Sequence, residues 1–132
     1  MYDVIIVGGG PAGLTSAIYA RRASKTVLVL EALNCGGQII NTPDIENYPV
    51  EHHISGVEFA NKLMEQAANL GAEIRYEKAV EVRDLGEEKE VVTQNGSYTG
   101  KTVILATGSE NRKLGVEDED KLVGIGVSYC AT

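Results

Sequence analysis

Cysteine is scarce in this chain, and its two cysteines, Cys35 and Cys130, are separated by most of the sequence. That spacing fits neither a zinc site nor the dense disulfide framework of a small secreted domain, so a reducing compartment and redox or catalytic thiols are expected. Positive charge is also short: 12 Lys and Arg stand against 19 Asp and Glu, for a net charge of −7. Such a chain repels phosphate backbones and anionic bilayers, which argues against nucleic acid or a membrane as partner. Long hydrophobic runs are missing. The most apolar N-terminal stretch, "VIIV" at residues 4 to 7, follows Asp3 with no basic region before it, far short of a signal peptide core or the ~20 residues of a membrane span. A cytoplasmic protein is expected. Internal repeats and low-complexity segments are absent as well.

The 132 residues suffice for one folded unit, and 43% apolar with 23% charged residues is ordinary for a globular domain. Fifteen glycines are more than usual, which points to backbone that turns sharply or comes close to a ligand. "YDVIIV" predicts a strand buried on both faces. From Pro11 the pattern turns helical, with Leu14, Ala17 and Ile18 on one side and Arg21 and Arg22 toward the end. "TVLVLE", residues 26 to 31, completes a right-handed βαβ unit.

Residues 32 to 54 hold Gly36, Gly37, Pro43 and Pro49 without a sustained period and read as a long loop, functional or disordered. Ser55 and Glu58 suit a reciprocal capping box. The stripe Val57, Ala60, Leu63, Met64, Ala67 and Leu70 then predicts a helix packed on the sheet and ended by Gly71. "AEIRY" and "VEVRD" read as short strands. "EVVTQ" and "SYTGK" read as a hairpin whose Asn95-Gly96 turn needs positive φ at both residues. "TVILATG", residues 102 to 108, reads as another buried strand, and "EDED" at 117 to 120 as the start of a linker.

"GGGPAG", residues 8 to 13, sets Gly8, Gly10 and Gly13 in G-x-G-x-x-G spacing between a strand and a helix, with Glu31 ending the second strand. That context makes the motif a dinucleotide fingerprint. Gly8 permits the tight turn, Gly10 lets backbone amides approach a pyrophosphate, and Gly13 lets helix and strand pack closely. Pro11 at the first helical position loses only an amide that has no helical partner. Glu31 can accept from both ribose hydroxyls and would repel a 2′-phosphate.

Five separated motifs go further: "GGGPAG", "GGQ" (36 to 38), "ENYP" (46 to 49), "ATGS" (106 to 109) and "GVSYCAT" (126 to 132). In this order the chain resembles, over essentially its whole length, the low-molecular-weight thioredoxin reductases and their close flavoprotein relatives. The resemblance implies an α/β, FAD/NAD(P)-binding Rossmann-like domain, a parallel sheet with helices plus a β-hairpin or meander layer, here incomplete. Residues 1–115 would be the N-terminal part of the FAD domain, and 116–132 a linker and the start of an NADPH and redox lobe. FAD is the implied cofactor. Gly9, Gly10, Pro11 and Ala12 would line its pyrophosphate, Glu31 and Ala32 the ribose, and Gly36, Gly37 and Gln38 the flavin side. Asn47 and Thr107, the latter between Ala106 and Gly108, would lie beside the cofactor, and Ala79 near the adenine. Ala79 is smaller than the branched residue usual there, Val50 follows "ENYP" where glycine is common, and Ile125 stands where a basic residue is frequent. Cys35 reads as a small packed thiol, and His52 and His53 as loop residues rather than metal ligands.

The family's closing motif continues as Cys-Ala-Thr-Cys. The resemblance therefore makes Cys130 the catalytic first cysteine of a C-x-x-C whose second member would follow Thr132. In the parent protein electrons would pass from NADPH through FAD and that disulfide to thioredoxin or a similar small redox protein. The NADPH site would lie outside this chain, the fragment alone is expected to be inactive, and a homodimer is an allowed assembly. Two alternatives stay open: a flavoprotein reductase of another acceptor, of ferredoxin or peroxiredoxin type, and a noncatalytic nucleotide-binding module.

Overall fold

Short β-branched runs become the centre of the sheet. The computed structural model describes residues 1–130 and contains β1 (Tyr2–Val7), α1 (Pro11–Arg22), β2 (Val27–Leu30), a 3-10 turn (Gly37–Asn41) and α2 (Gly56–Asn69). Then come β3 (Glu73–Arg75), β4 (Ala79–Asp84), β5 (Lys89–Thr93), β6 (Ser97–Leu105) and a short α3 (Glu119–Leu122). The strand order is β3-β2-β1-β6-β5-β4. β1 pairs in parallel with β2 and β6, and β2 with β3, whereas β6, β5 and β4 form an antiparallel meander. This is the α/β Rossmann-like architecture with a meander layer that the sequence predicts.

"SYTGK" and "TVILATG" are not two strands. They fuse into the nine residues of β6, which ends at Leu105. Gly100 is the shared joint, paired with Tyr2 of β1 on one side and Lys89 of β5 on the other. A Cβ there would meet Ile5 Cγ1 at 2.9 Å, so the close approach of β1 requires glycine. The fused strand is also less buried than predicted: Leu105 is 65% exposed. The hairpin forms, with the Thr93 amide donating to the Gly96 carbonyl at 2.7 Å. Of its two turn residues only Gly96 has positive φ, because the loop is closed by Thr93, whose hydroxyl accepts from the Asn95 amide.

Two cores sandwich the sheet. On one face Ile6, Val27 and Val29 pack with Leu14, Ala17 and Ile18 of α1 and Ala67 of α2. On the other, Ile5, Leu28 and Leu30 pack with Val91 of the meander and, partly buried, Ala79, Tyr98 and Val103. β2, buried at every position, is covered on both sides, and the meander therefore does the work of a second helical layer.

α2 departs from its prediction in two ways. Ser55 Oγ accepts from the Glu58 amide at 3.1 Å, but among the described residues the reciprocal bond is absent, and Glu58 faces Lys62 at 3.4 Å. Its stripe reaches α1 as well as the sheet, so Val57 stays 53% exposed while Phe59, outside the stripe, is buried. Gly71, at φ +89°, ends the helix as predicted, and Arg21 of α1 donates to the Leu70 carbonyl at 2.8 Å.

The stretch from 32 to 54 has structure of its own. After the 3-10 turn, Ile45 and Ile54 pair across an antiparallel bridge and bury with Phe59 in a separate small core. Helical and strand periods are both too short there to register in a sequence window.

Candidate functional site

The strand–turn–helix at residues 7 to 13 is set by contacts with no room for side chains. Gly8 has φ +108°, and a Cβ on it would lie 2.2 Å from the Ala106 carbonyl oxygen. A Cβ on Gly13 would lie 1.9 Å from the Gly8 carbonyl oxygen. These two glycines bring α1 down onto the end of β1 and against the start of the 106–109 segment. Gly10 differs. It is the N-cap of α1 in an extended conformation, with Pro11 in the first turn and no side-chain cap among the described residues. The nearest atom to a Cβ on Gly10 is Gly37 Cα, at 4.0 Å.

That proximity joins the first two sequence motifs. The Gly36 amide donates to the Gly9 carbonyl at 2.8 Å, which straps the "GGQ" turn over the glycine loop. Gln38 Nε2 then donates to the Ser109 carbonyl at 2.6 Å, which ties in the "ATGS" segment. Glu31 folds back over the same place: its Oε2 accepts from the Gly9 amide at 2.7 Å and its Oε1 from the Leu33 amide at 2.9 Å. Gly8, Gly9, Gly10, Pro11, Ala12, Gly13, Glu31, Gly36, Gly37, Gln38, Ala106 and Thr107 thus come together, with Thr107 Cα 3.3 Å from the Gly8 Cβ position. Ala32 is exposed beside Glu31, and Gly108, at φ +68°, has open space around it. Ala79 opens β4 and packs with the Leu28 and Leu30 side of the sheet. Asn47 lies exposed in the loop closed by the Ile45–Ile54 bridge, and no contact brings it to the glycine loop among the described residues.

Cys35 lies beneath this turn. Its Sγ is 3.0 Å from the Gly9 Cβ position, and burial raises its thiol pKa, with the Tyr76 hydroxyl opposing and Glu31 adding to the rise. It borders a cavity of about 260 Å³ together with Ile40, Ala60, Met64 and Tyr76. His53, outside any predicted site, is exposed with Nδ1 3.0 Å from Asp44 and 3.7 Å from Glu46.

Cys130 is exposed at the far end of the chain; Ala131 and Thr132, the last residues of the closing motif, lie outside the described residues. The segment before it is not an open linker. Glu119, inside "EDED", is only 4% exposed. It accepts from the amides of Leu114 and Gly115 and from the Tyr129 hydroxyl. Nothing in the charge pattern distinguishes Glu119 from its acidic neighbours, so only folding reveals it.

A parallel sheet with a glycine turn into its first helix, an acid closing its second strand and a covering meander define a Rossmann-like α/β domain of the kind found in the thioredoxin reductases. The chain belongs to the pyridine nucleotide-disulphide oxidoreductase family, which it matches over residues 2–132. It is 47% identical over 131 residues to a thioredoxin reductase of Bacillus subtilis, covering 99% of this chain and 42% of that protein. The crystal structure of thioredoxin reductase from Streptococcus pyogenes superposes with a TM-score of 0.89 at 46% identity, over 99% of this chain and 43% of that one. A ferredoxin-flavin thioredoxin reductase from Clostridium acetobutylicum gives 0.77 at 37% identity, over 98% and 45%. The chain thus spans about two-fifths of the length of these relatives.

Proposed function

We propose that the glycine loop, Glu31 and the 36–38 turn hold FAD, and that the chain serves a thioredoxin-reductase-like oxidoreductase. The observation that carries this reading is the N-terminus of α1, which no side chain caps among the described residues and beside which the Gly10 and Gly37 backbones lie close together. The residues fit a diphosphate. Amides at a helix N-terminus favour an anion, the dipole contributing ~0.3 to 1 kcal/mol when exposed. Each Glu31 oxygen carries one backbone bond, which leaves acceptor positions for ribose hydroxyls. Ala32 would border the ribose and Ala79 the adenine; Gln38 would lie on the flavin side, and Asn47, Ala106, Thr107 and Gly108 beside the cofactor. Residues 1–115 then form the N-terminal part of the FAD domain, and 116–132 lead into the redox lobe.

A bound flavin supplies two-electron exchange between a nicotinamide donor and a disulfide. Cys130 would be one half of that disulfide, and its exposure suits handing electrons to thioredoxin or a similar small redox protein. The likeness to the ferredoxin-flavin thioredoxin reductase favours a second reading, in which the flavoprotein's electron acceptor is of ferredoxin type.

Titration of the chain with FAD, followed by quenching of flavin fluorescence, tests the site. Saturable binding is expected. Gly10→Ala should weaken it about tenfold or more while leaving the circular dichroism unchanged, because the new methyl would meet Gly37 only at ordinary contact distance but would stand at the helix N-terminus that the anion must approach. Absence of binding, or equal binding by Gly10→Ala, refutes the proposal. Turnover with NADPH of thioredoxin against a ferredoxin, by a protein of the relatives' full length, separates the two readings.

A further inference from the structure

Among the described residues Glu119 is the only charged side chain that is buried. A carboxylate out of water needs donors, and this one draws them from two directions. Leu114 and Gly115 donate their amides at 2.9 and 2.7 Å from the segment that follows the sheet. Tyr129 donates its hydroxyl from the residue directly before Cys130. These bonds hold the Glu119 carboxyl below its ordinary pKa, the Tyr129 hydroxyl foremost, and push the Tyr129 phenol up to about 12.

The chain between them is closed by its own backbone. Leu122 O accepts from the amides of Ile125, Gly126 and Val127, and Gly124 donates to the Val127 carbonyl at 2.9 Å. Ser128 Oγ donates to the Cys130 carbonyl at 2.6 Å and accepts from the Cys130 amide at 3.2 Å. Lys113 pairs with Asp120 at 2.8 Å across the same turn. The residue before Cys130 is therefore linked through Glu119 to the backbone of Leu114 and Gly115.

We infer that Glu119 is a positioning residue for Cys130, acting through the Tyr129 hydroxyl to fix the main chain from which the thiol is presented. Its importance for electron transfer rests on the redox role proposed for Cys130, but the clamp can be tested without flavin.

The test is thiol–disulfide exchange between the chain and oxidised glutathione. The Cys130 thiolate attacks one glutathione sulfur, a protein–glutathione disulfide forms, the glutathione S–S bond breaks, and the departing glutathione thiolate takes up a proton. Rates at Cys130 and Cys35 are resolved by peptide mass spectrometry across pH. Attack requires three sulfurs nearly in line, an approach that a clamped main chain restricts. Tyr129→Phe and Glu119→Gln should each speed modification of Cys130 by roughly three- to tenfold, and the double variant should be no faster than the faster single one, because both remove one coupling. Cys35 should be unaffected. Unchanged Cys130 rates overturn the inference, as does equal acceleration at Cys35, which would mark general loosening. A gain confined to Glu119→Gln with a lowered pH midpoint would assign the effect to charge and also overturn it. Failure of FAD binding would leave these rates untouched, so the two proposals fail separately.

Discussion

Gly13 and Gly10 lie three residues apart in one motif yet answer to different constraints. A methyl on Gly13 would have to occupy the space of the Gly8 carbonyl oxygen, 1.9 Å away. Neither backbone can yield, so Gly13→Ala should destabilise the chain by about 3 kcal/mol or more, the upper end of overpacking costs, read from the urea midpoint. Gly10→Ala should unfold at the same midpoint as the parent chain. Val50 is the converse case. It is 96% exposed with φ +81°, a conformation costly for a β-branched residue, at the position where the resembled family commonly has glycine. Val50→Gly should relieve strain of about 1 to 2 kcal/mol, offset by about 0.5 to 1 of added chain entropy, and so raise the melting temperature by a few degrees. The glycine spacing was legible from sequence alone. Which glycine the fold requires and which it would let carry a methyl was not, because that depends on what stands opposite each one.

At the scale of elements, one network fastens the meander to the edge of the parallel sheet. Tyr2 donates to Glu73 at 2.6 Å, Arg75 donates to Glu73 at 2.7 Å and to the Tyr98 hydroxyl at 2.8 Å, and Tyr98 and Thr93 donate to Glu77 at 2.8 and 2.7 Å. Burial, with the bond to Glu73 adding, raises the Tyr2 phenol to about 12. Its folded pKa lies above the unfolded value of about 10, so the stabilisation it brings is complete below pH ~10 and is lost as pH rises toward 12. Glu73 and Glu77 are lowered, by the Tyr2 and Thr93 hydroxyls first. Their stabilisation is present above the unfolded value of ~4.3 and is lost as pH falls. The melting temperature should therefore be level between about pH 5 and 8, drop below that range as these carboxylates take up protons, and drop above it as first the half-buried Cys35 thiol and then Tyr2 are driven to ionise, with a smaller drop between pH ~10 and 12 in Tyr2→Phe. Ser55→Ala should cost about 1 kcal/mol of stability through the lost α2 cap, measured in the same melts. The cap was visible in the sequence as serine three residues before glutamate. The network was not, since its members come from β1, β3, β5, β6 and the turn before β4.

For the whole molecule the decisive element is β6, one strand that serves two layers. Its first residues pair with β5 and its later ones with β1, and Gly100 lets Ile5 of β1 pass underneath. Gly100→Val should force Ile5 aside and cost about 1 to 3 kcal/mol, lowering the urea midpoint. Ile5→Ala, at the contact of sheet and meander, should cost about 2 to 5 kcal/mol. The sequence by itself determined the βαβ unit, the glycine fingerprint with Glu31, the α2 cap and the succession of strands, because each is written in neighbouring residues through turn chemistry and period. Only the tertiary structure decided that two predicted strands are one, that the 36–38 turn closes over Gly9, and that Glu119 is buried against Tyr129. Those outcomes depend on which distant backbones meet, and a buried carboxylate and a solvated one are spelled with the same letter.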